Sequence, residues 1–192
     1  MIPHFEKMLY DNACLLECYC KAYSMTKEKN FLNTARKTAD WIVDEMQSIE
    51  GGFYSSIDAD SDTGEGQYYI WEKTEVEENL SNEQYKVFSE YYGLNKRDNF
   101  EKKYHLYVSY NSKADFKSRK KNIDKKLLNE SIDILLKIRD KRKKPFTDEK
   151  ILTSWNALTI KSLIDYCKAS KDMTYAANSE KAINFLIEEM WF

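Results

Sequence analysis

Three short stretches of this sequence concentrate the residue types that do chemistry. His4, Glu6 and Lys7 open the chain, Asp58, Asp60, Asp62 and Glu65 fall in the run DADSDTGEGQ, and Asp148 and Glu149 precede Lys150. Paired carboxylates can divide proton donation from proton acceptance. Tyr10, Tyr54, Tyr68, Trp71 and Trp155 supply flat apolar faces, and rings set among acids and amides are the ingredients of a polyol or sugar site. Each residue also has a plainer reading. His4 reads as a hydrogen-bonded residue at a helix start, Asp11, Asn12 and Asn156 as polar groups that satisfy helix ends, and Trp71 and Trp155 as packing residues. The Asp58-x-Asp60-x-Asp62 spacing opens like a calcium loop, but its glycine stands one place late at Gly64 and Tyr69 occupies the position that needs a bidentate glutamate. Cys14 and Cys18 share a helical face without completing a zinc site, so no metal is expected and the thiols read as core filling.

The elements that must position these groups are mostly helices, because only 5 glycines and 2 prolines punctuate 192 residues. Apolar residues at spacings of three and four, from Phe5 through Leu15 and Leu16 to Tyr23, predict a helix over 4–25 with Pro3 at its entrance. A second is predicted over 31–48, stopping at Gly51-Gly52, and the two form a helical hairpin over 1–48. Phe53–Ile57 and Tyr68–Trp71 read as a small β-hairpin over 53–71 around the acidic loop. Thr74 with Glu77, and Ser81 with Gln84, match capping boxes for helices near 75–80 and 82–92, the latter ended by Gly93. A strand is expected at 104–110 and a helix at 124–140, giving a second hairpin over 74–140 that carries an irregular basic loop. The third hairpin, 150–192, echoes the first: at an offset of 144, Asn12-Ala13 falls on Asn156-Ala157, Lys27 on Lys171 and Glu45-Met46 on Glu189-Met190. Consecutive up-down hairpins would set the three chemical stretches at one end and residues 94–122, with His105, at the other.

Length and composition narrow the class. A chain of 22.8 kDa that is 42% hydrophobic and 14% aromatic can bury one sizeable core, and is read as a single domain. A charged fraction of 32%, a mean hydropathy of -0.71 and no secretion signal argue for a cytoplasmic chain with no membrane partner and reduced cysteines. Net charge is -2, yet residues 102–144 hold 15 basic against 5 acidic residues. Lys117, Arg119, Lys120, Lys121, Lys125 and Lys126, followed by Lys137–Lys144, could bind phosphate, but no aromatic residue interrupts either cluster. They read as a solvated face, and no nucleic-acid partner is expected.

The stretches HFEKMLYDNA (4–13), GGFYSSIDADSDTGEGQYYIW (51–71) and DEKILTSWNAL (148–158) resemble, in order and spacing, motifs of the spermatogenesis-associated, thioredoxin-domain-containing family, also called YyaL-like. The resemblance implies a thioredoxin-like domain followed by an (α/α)6 toroid similar to six-hairpin glycosidases and N-acylglucosamine 2-epimerases. The chain is then expected to be mostly α, an incomplete (α/α)6 toroid of about three helical hairpins with a small β-hairpin insertion. It starts at the HFEK motif and stops before a ring could close, so redox chemistry is not expected of it, and self-association or a partner is expected to cover its open edges. Carried over position by position, the family's polar residues are His4, Glu6, Lys7, Asp11, Asn12, Asp58, Asp60, Ser61, Glu65, Asp148, Lys150, Trp155 and Asn156. Epimerisation would want two opposed histidines, which the placing of His105 disfavours. Hydrolysis would want two carboxylates, for which Asp58 or Asp60 with Asp148 is the expected pair, with His4 as a further catalytic candidate and Trp71 beside the binding residues. No cofactor is expected. The competing expectation is a non-catalytic scaffold, in which the same carboxylates hold helices in register; the isolated chain is expected to be inactive.

Overall fold

A computed structural model of the protein describes residues 2, 4–62, 64–108 and 123–191. Pro3, Lys117, Arg119, Lys120, Lys121 and the last two positions of the strand expected at 104–110 lie outside the described residues. In chain order the elements are β1 (Lys7–Met8), α1 (Leu9–Thr26), α2 (Lys29–Trp41), β2 (Ser56–Ile57), β3 (Asp60–Ser61) and β4 (Gly64–Glu65). There follow α3 (Lys73–Asn79), α4 (Asn82–Tyr92), α5 (Lys125–Arg139), β5 (Thr147–Asp148), α6 (Thr153–Ser170) and α7 (Ala176–Glu189). The fold is mostly α with a small β component, and α1/α2, α4/α5 and α6/α7 form the three expected helical hairpins. The chain folds as two compact units: a hairpin unit of Phe5–Ala59 with Phe146–Phe192, and a central unit of Met1–His4 with Asp60–Pro145.

In the hairpin unit, Leu9, Ala13, Leu16 and Cys20 recur on one face of α1 and are buried against α6. Cys14, Cys18 and Leu15 lie on the opposite face and are exposed, which corrects their placement in the core; the buried thiols are Cys20 and Cys167. The helix starts at Leu9 and not at residue 4, because Lys7–Met8 is extended and pairs with Ser56–Ile57. After Trp41, α2 passes into a π turn over Ile42–Met46 that buries both of those end residues. Gly51 has φ +123°, and a Cβ there would stand 2.7 Å from the Lys181 carbonyl oxygen. At Gly52 it would meet Ile151 Cδ1 at 2.7 Å, so the glycine pair is required by close approach as well as by the turn.

The internal repeat is visible in the backbone. Helices α1 and α6 are each 18 residues long and begin and end 144 positions apart. Both end in a left-handed lysine, Lys27 at φ 58° and Lys171 at φ 61°, whose N–H donates to Tyr23 O and Cys167 O respectively. Asn12 Nδ2 donates to Met8 O at 2.8 Å, and Asn156 Nδ2 to Leu152 O at 3.1 Å, the same bond at the same place in both copies.

The central unit differs from the expected long β-hairpin. The strands that pair there are Asp60–Ser61 and Gly64–Glu65, inside the polar run, while Tyr68 and Tyr69 lie in turns and Trp71 bridges Tyr104. Glycines at 64 and 66 with positive φ let the chain turn inside the acidic run, so the flanking aromatics are not needed as strand partners. Ser81 and Gln84 make both bonds of a capping box, whereas Thr74 lies inside α3, which starts two residues earlier than its box predicted. Trp71, Val76, Leu80, Phe88, Leu94, Leu128 and Leu135 form the core. Arg142 ties this core together and is not part of a solvated basic face. It donates to Tyr68 O and Ile70 O at 2.9 and 2.7 Å, forks onto both Glu75 oxygens at 2.8 and 2.9 Å, and stacks 4.1 Å from the Trp71 ring centroid. Among the described residues no helix is long and apolar enough to cross a membrane.

Candidate functional site

One member of each of the three chemical stretches, Lys7, Asp58 and Asp148, falls in or directly beside one three-stranded antiparallel sheet within the hairpin unit, in the order β1-β2-β5. His4, Asp60, Asp62 and Glu65 belong to the central unit. Lys7 pairs with Ile57 and Met8 with Ser56, while Ser56 pairs with Asp148 and Ile57 with Thr147. The ladder continues past β2, since Asp58 N donates to Phe146 O at 2.8 Å. Because side chains alternate, Ser56, Asp58, Asp148 and Phe146 share one face, and the register puts Glu6 on it opposite Asp58. Asp58 and Asp148 are diagonal neighbours, a relationship that sets Cα atoms about 7–8 Å apart. The face opposite carries buried Ile57, beside Lys7, whose ammonium donates to Phe5 O at 3.0 Å.

The Asp148 carboxylate accepts from Lys150 Nζ at 3.0 Å and Lys150 N at 3.2 Å, which holds its pKa below the ordinary aspartate value. Its backbone oxygen receives both the N–H and the hydroxyl of Ser55 at 3.1 Å, fixing the strand behind the carboxylate. Phe146 stands 71% exposed on the same face, a ring beside two acids that the sequence reading did not single out. Its signal was an aromatic two residues before Asp148, masked by the basic run that precedes it.

Other expected site residues have different surroundings. Asn156 is fully buried, donates to Phe53 O at 2.9 Å and accepts from Phe53 N at 2.7 Å. Trp155 packs tilted on Tyr10 with ring centroids 4.8 Å apart, and Asp11 is exposed on the first turn of α1. In the central unit, His4 Nδ1 lies 3.0 Å from Glu65 Oε1, Asp60 pairs in register with Glu65, and Ser61 Oγ donates to Gly64 O at 3.3 Å. Trp71 is buried beneath Arg142. His105 is braced by Asn99, which accepts from its N–H at 2.8 Å and donates to its carbonyl at 2.9 Å, and burial lowers its imidazole pKa. Among the described residues no group of three His, Cys, Asp or Glu side chains is placed to hold a metal ion.

No family model matches the chain. It is 28% identical to an uncharacterized protein of Caenorhabditis elegans over 96% of its own length and 29% of that protein's. It is 29% identical to spermatogenesis-associated protein 20 of Homo sapiens, and 28% to that of Rattus norvegicus, in each case over 83% of this chain and 24% of the relative. The chain therefore spans about a quarter of the length of the curated proteins it matches. These matches support the resemblance carried by the three motifs: the chain is similar to one segment of the spermatogenesis-associated protein 20 proteins.

Proposed function

We propose that the acidic sheet face of the hairpin unit is a carbohydrate-binding surface of this family segment, and that Asp58 and Asp148 are its hydrolytic pair. The observation that carries the reading is the strand register, which sets the two aspartates as diagonal neighbours on the face that also bears Phe146. A separation of about 6.5–9.5 Å between carboxyl groups suits an inverting hydrolysis, in which a water stands between them. Asp148, held ionised by Lys150, is the base that activates the water, and Asp58 is the proton donor to the leaving oxygen. Phe146 offers the ring on which a sugar face stacks. Four cysteines free of disulfides support a cytoplasmic setting. The reading includes self-association, or a partner, over the groove of α6 and α7 where Ile187 and Trp191 are exposed. Light scattering that finds a monodisperse monomer at micromolar concentration overturns that part.

The test of the main reading is glycan binding and turnover by the intact chain beside Asp58→Asn, Asp148→Asn and Phe146→Ala. Binding lost in these variants with melting unchanged supports it. The alternative, a non-catalytic scaffold, is favoured by Asn156, whose amide serves the backbone of Phe53. Under that alternative no glycan binds, and Asp148→Asn lowers the melting temperature through its lost charged hydrogen bonds to Lys150.

A further inference from the structure

The internal repeat relates two open faces of the hairpin unit to a contact that the chain already makes within itself. Cys20 of α1, with Ala39 and Ile42 of the second helix and its π turn, is buried in the core that α6 completes. Their equivalents 144 positions on, Ile164, Ile183 and Leu186, are exposed or half-buried, and they line a groove of about 540 Å³ on the α6/α7 hairpin together with exposed Ile187 and Trp191. Conversely, Thr159 and Ser162 of α6 are buried, whereas Leu15 and Cys18, their equivalents on α1, are exposed. The last hairpin therefore leaves open the surface with which the first receives α6, and α1 leaves open the face that α6 turns inward. Charge follows the same relation. Glu17 Oε1 binds Lys161 Nζ at 2.7 Å across the contact of α1 with α6. Under the repeat Glu17 corresponds to Lys161 and Lys21 to Asp165, so each sign is reversed. An incoming α1 brings its Glu17 to Lys161 of the groove and its Lys21 to Asp165, which again sets opposite charges together.

We propose that the α6/α7 groove is the docking site for α1 of a second copy of this chain, joined head to tail, so that the contact of α1 with α6 is repeated between copies. Burial of the groove's apolar side chains drives the association, and the Glu17 and Lys161 charges set its register. The contact is heterologous: each pairing leaves one groove and one α1 face free for a further copy, and assembly closes into a ring or continues. Two grooves placed against each other would instead leave Leu15 and Cys18 in water. Both faces belong to the hairpin unit. The pairing rests on the self-association included in the proposed function, and it stands or falls separately from the carbohydrate reading.

Leu15→Glu and Ile187→Glu each place a charge on one of the two faces, at positions 49% and 59% exposed, where a substitution leaves the single copy folded. In sedimentation of the full chain between about 1 and about 100 µM, the unaltered protein is expected to rise in mass beyond the monomer, and each variant alone to associate at least about tenfold more weakly. An equimolar mixture of the two variants is expected to form one-to-one heterodimers and nothing larger, because the Leu15→Glu copy still offers a groove and the Ile187→Glu copy still offers an α1 face. In the unaltered chain, alkylation of Cys18 is expected to slow by about tenfold or more over the same range, while Cys14, equivalent to the exposed Leu158, keeps its rate. A monomer throughout overturns both this pairing and the self-association it rests on. Association undisturbed by Leu15→Glu, a mixture that associates no better than its parts, or unchanged Cys18 reactivity overturns the head-to-tail pairing alone. If either variant does not fold, the Cys18 measurement on the unaltered chain decides.

Discussion

The side-chain amide of Asn156 closes on both backbone groups of Phe53, accepting from its N–H at 2.7 Å and donating to its carbonyl at 2.9 Å, across 103 residues of sequence. Phe53 is itself fully buried, and it leads directly into the strand that carries the acidic face. The bond pair fastens the start of α6 to the segment entering β2, and so places the middle strand of the sheet.

Asn156→Ala leaves two buried backbone groups of Phe53 without partners, and a loss of about 2–4 kcal/mol in urea unfolding is expected. Asn156→Asp keeps the acceptor for Phe53 N–H but turns a carboxylate toward the carbonyl. Its destabilisation should shrink as pH is lowered and the carboxyl takes a proton; a pH-independent loss would argue against the two-point bond.

Arg142→Lys removes the fork on Glu75 and cannot serve Tyr68 O, Ile70 O and the Trp71 ring together. A loss of about 1.5–3 kcal/mol is expected, with faster amide exchange in α3, where Glu75 lies. Lys141 and Lys143 are exposed, and alanine at either should change stability by less than about 0.5 kcal/mol.

Lys27 and Lys171 hold positive φ where a glycine is free of the Cβ penalty. Glycine at either position is expected to stabilise by up to about 1 kcal/mol, because the relief of left-handed strain exceeds the added entropy of the unfolded chain. The two effects should add in the double variant, since the sites cap different helices.

Glu17 on α1 receives Lys161 of α6 at 2.7 Å as well as Lys21, and these ammonium groups hold its carboxyl down at about 2 from an ordinary 4.5. A depressed carboxylate contributes stability above its unfolded pKa and loses it as pH falls toward the folded one. Melting temperature should therefore drop between about pH 4.5 and pH 2, and Glu17→Gln should flatten that limb of the curve.

The helical hairpins, the capping box at Ser81, the turn at Gly93 and the 144-residue repeat were all legible in the sequence, because each rests on local periodicity or backbone chemistry that neighbouring residues decide. The start of α1 was not, since Lys7–Met8 is held extended by a strand about 50 residues away, against its own helical pattern. Cys14 and Cys18 were misplaced for a related reason: the apolar pattern of α1 runs round much of the helix, and only packing against α6 selects which side is buried.

At the candidate site, residue type was legible and partnership was not. Composition and motif marked Asp58 and Asp148 as chemical candidates, but a pairing of segments some 90 residues apart is decided by long-range register, which also brought in Phe146. Arg142 and Arg139 looked like members of one basic run. Tertiary packing separates them, closing Arg142 on carbonyls and a carboxylate while leaving Arg139 Nε buried without an acceptor among the described residues. A charged side chain's role depends on which groups desolvate it and which reach it, and those neighbours come from distant parts of the chain.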